Sequence, residues 1–266
     1  MKAKELLDAN QLSAAIAELT QQVKSHPADT RLRTFLFETL CFAGEYNRAE
    51  KQLEALAQQD EVAGLGIEIY RQLIKAEQVR KQVYAGTMRP TFLLAPPAYA
   101  DLHVTALKEI HDGRGSSAKG LLDRAVSQRQ ALKGWRDGKP FASCRDSDDV
   151  LAPFLECFVK GAYVWLPLEQ VHKLTVGKPR HLRDLLWMQA TAEINEGPTG
   201  DLFIPVVYAG SEQSENDLIR LGRITEWFDG GEGIAVAQGQ RTFIVDDREL
   251  SVLEVGELQF EVPVRV

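Results

Sequence analysis

Apolar residues in the first half of the chain recur at steps of three and four, the spacing that lines one face of an α-helix. Lys2 to Ala9 and Leu12 to Ser25 read as a helical hairpin turned at Asn10, and His26-Pro27 ends its second helix, because proline disfavours helix at the residue before it. Ala28 to Ala43 follows, with Leu32, Phe35, Leu36, Leu40 and Ala43 on one face and Gly44 as C-cap. Tyr46 to Ala57 turns Ala49, Leu53, Leu56 and Ala57 inward, and residues 61–84 continue as a helix through Ile67, Tyr70, Leu73, Ile74 and Ala76. Three prolines make Gly86 to Pro97 a loop. Helical spacing resumes from Ala98 to His111, pauses at Gly113 to Ser117, continues from Ala118 to Lys133, and ends at Gly134.

A repeat underlies this pattern. Asn10-x-Leu12-x-x-Ala15-x3-Leu19 recurs as Gly44-x-Tyr46-x-x-Ala49-x3-Leu53, an offset of 34 residues, which is the period of the tetratricopeptide hairpin. A third copy, Gly113-x-Gly115-x-x-Ala118-x3-Leu122, lies 69 residues further on, about two periods, so one hairpin between them has drifted in sequence. A lone hairpin cannot bury its apolar stripe, so neighbours stack on one core and leave a concave groove. The first helix of each pair lines that groove, which makes Arg31, Thr34, Glu38 and Phe42 the candidate partner-binding residues; the alternative for these positions is a solvated face.

After Gly134 the texture changes to short alternating segments separated by Gly, Pro and Asp, which predicts strands and turns. Asp137-Gly138 marks a hairpin turn, and Asp146, Asp148 and Asp149 read as the N-cap of a helix from Val150 to Lys160. Strands are expected at 162–166, 171–176, 187–194, 202–207, 219–226, 233–237, 241–245 and 250–262, with a short helix from His181 to Leu186. The expected fold is therefore multidomain: a TPR-like α-α superhelix over residues 1–134, then a β-rich α+β domain over residues 135–266.

Composition narrows the function. The 266 residues are 44% hydrophobic and 26% charged, the balance of a folded globular chain. Residues 1–134 carry a net charge of +2 (18 basic, 16 acidic side chains), whereas residues 135–266 carry −9 (13 and 22). An acidic second half repels phosphate backbones, so nucleic acid is not expected as a partner. No stretch reaches the roughly 18 apolar residues of a membrane span. Cys41, Cys144 and Cys157 form no CxxC pair and too sparse a set for a disulfide framework, which fits a reducing cytoplasm.

Catalytic patterns are missing. GxSxG, GxxxxGK[ST] and GxGxxG do not occur, and the five histidines have no HxH, HxxxH or HExxH spacing. No cofactor, metal or catalytic residue is expected. The acids Asp146, Asp148 and Asp149 could hold a cation, but helix capping explains their spacing without one. Cys144 beside Arg145 has no histidine close in sequence to act as its base.

Five strings in order carry a resemblance: Arg145-Asp-Ser-Asp148-Asp-Val-Leu-Ala-Pro-Phe-Leu-Glu156; Gly161-Ala-Tyr-Val-Trp165-Leu-Pro-Leu-Glu169-Gln170; Arg183-Asp184-Leu-Leu-Trp187; Leu221-Gly222-Arg223-Ile-Thr-Glu-Trp227; and Gly239-Gln-Arg241-Thr-Phe243. Together with the helical repeats they resemble the ImpE/SciE family, also called TagJ, accessory proteins of bacterial type VI secretion. The resemblance implies a non-enzymatic cytoplasmic adaptor that binds a short helix of the small contractile-sheath subunit, with a link to the ClpV unfoldase. Core positions are the default for Trp165, Trp187 and Trp227, whose rings are mostly apolar. Arg183 with Asp184, and Arg223 near Glu226, read as ion pairs or as a polar patch for a partner. The rival from another class is a ligand-binding or hydrolytic β domain on a helical docking arm, using Asp146, Asp148, Arg183 and Arg223; it requires those four to converge on one open pocket.

Overall fold

The computed structural model describes residues 2–59, 64–195 and 197–261. Among these, seven helices come first: α1 (Lys2–Asp8), α2 (Leu12–Ser25), α3 (Thr30–Phe42), α4 (Tyr46–Gln59), α5 (Gly64–Tyr84), α6 (Ala100–His111) and α7 (Gly115–Ser127). The repeat has a backbone cause. Its first residue is left-handed in all three copies, with φ of 58° at Asn10, 68° at Gly44 and 74° at Gly113, a conformation that glycine and asparagine tolerate best. The small Ala15, Ala49 and Ala118 are fully buried where each helix meets its neighbours.

The helical half departs from expectation in three places. The drifted hairpin is a single 21-residue helix, α5, followed by a non-helical stretch rather than a second helix. Helix α7 begins at Gly115 and stops at Ser127, six residues before Lys133. Gly115 stands where the other copies have Leu12 and Tyr46 because the backbone of Gly231 crosses it; a Cβ there would lie 2.6 Å from the Gly231 Cα. The expected helix over 61–84 is seen from Gly64, and residues 61–63 lie outside the described residues.

The remaining strands are β1 (Gly134–Arg136), β2 (Lys139–Phe141), β3 (Cys144–Asp146), β4 (Phe154–Val159), β5 (Ala162–Pro167), β6 (Val171–Val176), β7 (Trp187–Ile194), β8 (Thr199–Pro205), β9 (Thr225–Asp229), β10 (Ala235–Gly239), β11 (Thr242–Val245), β12 (Arg248–Ser251) and β13 (Glu257–Phe260). They form an eight-stranded sheet in the order β2-β1-β13-β6-β7-β8-β4-β5, a three-stranded sheet β12-β11-β3 and a two-stranded sheet β10-β9. The Asp137-Gly138 turn joins β1 and β2 with both residues at positive φ. A 3-10 turn occupies Leu182–Leu185, and a one-turn helix α8 covers Asp217–Arg220.

Three strand and helix expectations are corrected. Residues 150–160 form a turn and strand β4, not a helix. Phe154 and Phe158 join the core shared with the helices while Leu155 and Cys157 join the core beneath the sheet, so the segment is apolar on both faces and shows no alternation to separate it from a buried helix. The expected strand over 219–226 is instead α8 followed by β9, which starts at Thr225. The strand expected over 250–262 is divided by a turn into β12 and β13, with residue 262 outside the described residues.

The eight-stranded sheet is sandwiched. One face meets α3 and α5 through Phe37, Ile74, Tyr163, Trp165 and Trp187, and the other packs through Leu166, Leu174 and Ile204 against Phe243 and Val252 from around the small sheet. The first of these cores runs without interruption from α1 into β4, β5 and β7, crossing position 134. The 86–97 loop also binds the sheet: Thr91 N–H donates to the Tyr163 carbonyl at 3.1 Å and Trp165 N–H donates to the Thr91 carbonyl at 3.0 Å, covering the outer edge of β5.

Candidate functional site

The inner face of the helical layer carries the densest chemistry in the molecule, and it is closed. From α5, Arg80 reaches across to β4 and grips Glu156 in a two-pronged ion pair, Nε to Oε1 at 2.9 Å and Nη2 to Oε2 at 2.8 Å. Its Nη2 also donates to the Val207 carbonyl at 2.9 Å, and Nη1 lies 3.3 Å from Glu77 Oε2. Arg241 approaches the same Glu156 from the other side, donates from Nη1 to Asp146 Oδ2 at 2.6 Å and from Nε to the Pro205 carbonyl at 2.9 Å. Aromatic donors complete the set. The Tyr163 hydroxyl donates to Glu156 and accepts from Trp165 Nε1 at 2.6 Å, Trp187 Nε1 donates to Glu77 at 3.0 Å, and the Tyr208 hydroxyl donates to Asp146 at 2.8 Å.

Every charged member is buried: Glu77, Arg80, Asp146, Asp148, Glu156 and Arg241 are all at most 6% exposed. Four carboxyls therefore share two guanidiniums, and their proton affinities separate accordingly. Burial raises Glu156, yet Arg80 and Arg241 outweigh it and hold that carboxyl below its usual range. Burial dominates at Glu77 and Asp146, which are pushed up despite Arg80 and Arg241. Asp148 has no guanidinium of its own; burial and the charge of Asp146 raise it to about 7, against backbone donors at Val150, Leu151 and Ala237. A buried pair of this kind contributes little net stability but is costly to break, so its evident role is to register the helical layer on the sheet.

The residues proposed for a groove divide around this seam. Phe42 is 2% exposed and belongs to the shared core, so it is no groove residue: the face of α3 on which it lies is covered by the protein's own sheet. Glu38 is also buried and is bound by Arg183 Nη1 at 2.9 Å, which reaches over from the 182–185 turn and stacks on Tyr70. Burial raises the Glu38 carboxyl, with Arg183 opposing. Arg31 and Thr34 do face outward. With Phe35, Glu38, Leu182 and Arg183 they line an open hollow of about 310 Å³ at the rim where α3 meets the turn. Phe35 and Leu182 supply its apolar surface; sequence periodicity assigned Phe35 to the core stripe.

Most family-string residues have an identifiable partner within the chain. Arg145 Nη1 donates to the carbonyls of Asp146 and Ser147 and to Asp149. Asp148 caps the 150–151 turn, Glu169 accepts from the Tyr99 hydroxyl at 2.8 Å, and Asp184 caps its turn by accepting from Arg180 and His181 N–H groups. Trp165 and Trp187 are buried. Arg183 pairs with Glu38 rather than Asp184, and Arg223 makes no ion pair with Glu226; it binds the carbonyls of Leu7 and Asp8 at the end of α1. Trp227 overturns the core expectation, being 42% exposed on β9.

Asp146 and Asp148 lie together in the closed seam, whereas Arg183 and Arg223 are engaged elsewhere, so the four do not converge on one open pocket as the hydrolytic alternative required. Arg80 and Glu77 escaped sequence analysis because they sit on an ordinary helical pattern. Glu156 and Arg241 stand inside two of the family strings, which give no sign of their partners, and Glu156 was expected on a helix.

Comparison with known proteins agrees with this architecture. The ImpE protein family profile matches residues 138–259, and a tetratricopeptide repeat profile matches residues 6–63. The chain is 36% identical over 261 residues, spanning 98% of its own length and 92% of the relative's, to the type VI secretion system accessory component TagJ of Pseudomonas aeruginosa. The crystal structure of protein VPA1032 from Vibrio parahaemolyticus superposes with a TM-score of 0.90 at 24% identity, covering 98% of each chain, so the whole fold is shared.

Proposed function

The chain belongs to the ImpE family, and from that premise we propose that it is a non-enzymatic, cytoplasmic accessory protein of type VI secretion that binds a short helix of the small sheath subunit and links it to the ClpV unfoldase. The accessory role rests on the relationship to TagJ. The observation that carries the binding site is the rim hollow. With the inner face of the helices filled by the sheet, the outward part of α3 offers Phe35 and Leu182 to an apolar anchor, flanked by Arg31, Thr34 and the Glu38–Arg183 pair. An amphipathic helix presents one or two such anchors with polar neighbours, which fits a hollow of this size better than a full groove. The three cysteines are buried and unbonded, in keeping with a reducing compartment, and no helix among the described residues is long and apolar enough to cross a membrane.

The test is co-purification of the full chain with the small sheath subunit, with ClpV added in a second arm. Arg31→Glu combined with Thr34→Lys leaves the core untouched and should reduce capture at least about tenfold while circular dichroism stays that of the wild type. Unchanged capture by such a folded variant would remove the hollow as the site.

A further inference from the structure

Several strand edges among the described residues are protected. The β5 edge is covered by Thr91, β2 is three residues long and contains Pro140, and β12 is a four-residue strand carrying Arg248 and Glu249. These are the usual devices against stray pairing. Strand β9 carries the charges of Glu226 and Asp229, but it is longer than β2 and β12, contains no proline and has no covering segment among the described residues. It runs Thr-Glu-Trp-Phe-Asp with residues 226–229 all exposed, and Trp227 and Phe228 are 42% and 45% accessible.

Its outer edge is unused in hydrogen bonding. The register opposes Thr225, Trp227 and Asp229 to Gly239, Ala237 and Ala235. Those three β10 residues direct their N–H groups away from β9, to Ser211 Oγ at 2.8 Å, Asp148 Oδ2 at 3.0 Å and Asp149 Oδ2 at 2.8 Å. Opposed residues of an antiparallel pair face each other or face away together. The backbone groups of Thr225, Trp227 and Asp229 therefore point outward, in line, with an aromatic ring on each face of the strand. Behind them β10 is anchored to the body through Asp148, Asp149 and Ser211, so the edge is held rigid for docking.

Charge selects the occupant. Glu215, Glu226, Asp229 and Glu232 surround the hairpin without a basic partner: Glu226 meets only Asn216 Nδ2 at 3.4 Å, and Asp229 accepts from the N–H groups of Gly231 and Gly233. Nearby Arg223 is engaged at the end of α1. A second copy pairing β9 to β9 would bring two sets of these carboxylates together, which like-charge repulsion disfavours.

We propose that β9 is an acceptor edge, to which a lysine- or arginine-bearing extended segment of another protein adds as a third strand, bonding to the backbone of Thr225, Trp227 and Asp229 and covering the Trp227 and Phe228 rings. Backbone bonds supply affinity in this mode, and the alternate side chains supply selection. The site is separate from the α3 hollow.

The test is amide hydrogen exchange of the full chain, resolved residue by residue by NMR, with a short alternating lysine–valine peptide as probe at ~1 mM. In the free chain the amides of Thr225, Trp227 and Asp229 should exchange fast and those of Glu226 and Phe228 slowly. Peptide should slow the outward set about tenfold or more, and an alternating glutamate–valine peptide should not. Trp227→Pro removes one outward donor and leaves the bonds to β10, so it should abolish the protection; Trp227→Ala, which keeps the donor, should only weaken it. The proposal is overturned by absent protection at that concentration, by peptide binding that leaves the three amides exposed, or by protection without peptide that grows with chain concentration, the mark of self-pairing.

Discussion

The seam between α5 and β4 and the hairpin β9–β10 handle charge and aromatic surface in opposite ways. At the seam, six ionisable groups and the rings of Tyr163, Trp165, Trp187 and Tyr208 are all buried, and almost every donor has an acceptor within the chain. At the hairpin, two aromatic rings and four carboxylates face solvent with few internal partners. A tetratricopeptide stack ordinarily offers its inner face to another protein. Here that face is occupied from within, so the surfaces proposed for partners are the rim of α3 and β9. A repeat signature therefore identifies a scaffold without identifying which of its surfaces is free.

The largest expected effect comes from opening the seam. Glu156→Ala deletes the carboxylate held by both Arg80 and Arg241 and leaves two guanidiniums buried without it, which should cost about 3–5 kcal/mol. Urea unfolding of the full chain measures this. Trp227→Ala at the hairpin should change stability by no more than ~0.5 kcal/mol, since it removes surface that is already half in water. Similar losses at the two positions would erase the distinction between a structural seam and a surface kept for partners.

Legibility in the sequence follows the same division. The repeats were readable because each needs a left-handed turn residue and a small buried alanine, both local demands. Strands 171–176 and 187–194 were readable because turn residues bound them sharply. Residues 150–160 were not, because burial on both faces erases alternation. Phe42 and Glu38 were assigned to a groove because helical spacing tells which residues share a face and is silent on what that face meets. Trp227 was assigned to the core on the cost of exposing indole, a sound prior that does not hold on β9. The network around Glu156 joins residues 76 and 85 positions away in sequence, beyond any local pattern.

A middle-sized effect separates the α3 rim from the seam. Arg183→Ala removes the cation over Tyr70 and leaves Glu38 buried without its partner, which should destabilise the chain by about 2 kcal/mol in thermal or urea unfolding. Arg31→Ala, on the same rim but exposed, should stay within ~0.5 kcal/mol. If Arg183→Ala also proved neutral, the rim would count as surface throughout, and Glu38 would return to the set of residues available to a partner.

A smaller effect than either loss of a buried partner tests the proton inventory of the seam. Asp148 is raised to about 7 in the folded chain by burial and by Asp146, against an ordinary value of 3.8. The folded state therefore holds a proton that the unfolded state has released, so this residue's contribution is fully present below pH 3.8 and is lost as pH rises through 7. Between pH 6 and pH 8 the loss should be about 1.4 kcal/mol. His103 works in the opposite direction: buried against the Val150 carbonyl, it is lowered to about 3, and the unfolded chain alone takes up its proton as pH falls through 6.5. The raw pH profile mixes the two. Comparison with Asp148→Asn separates them, because that variant keeps an acceptor for the Val150 and Leu151 N–H groups, and its lost bond to the Ala237 N–H is a cost that does not vary with pH. The stability advantage of the wild type over Asp148→Asn, measured by urea unfolding, should shrink by about 1.4 kcal/mol from pH 6 to pH 8. A constant gap across that range would mean that Asp148 is ionised throughout, and that the seam holds one more negative charge than its two guanidiniums and the surrounding hydroxyl and backbone donors offset.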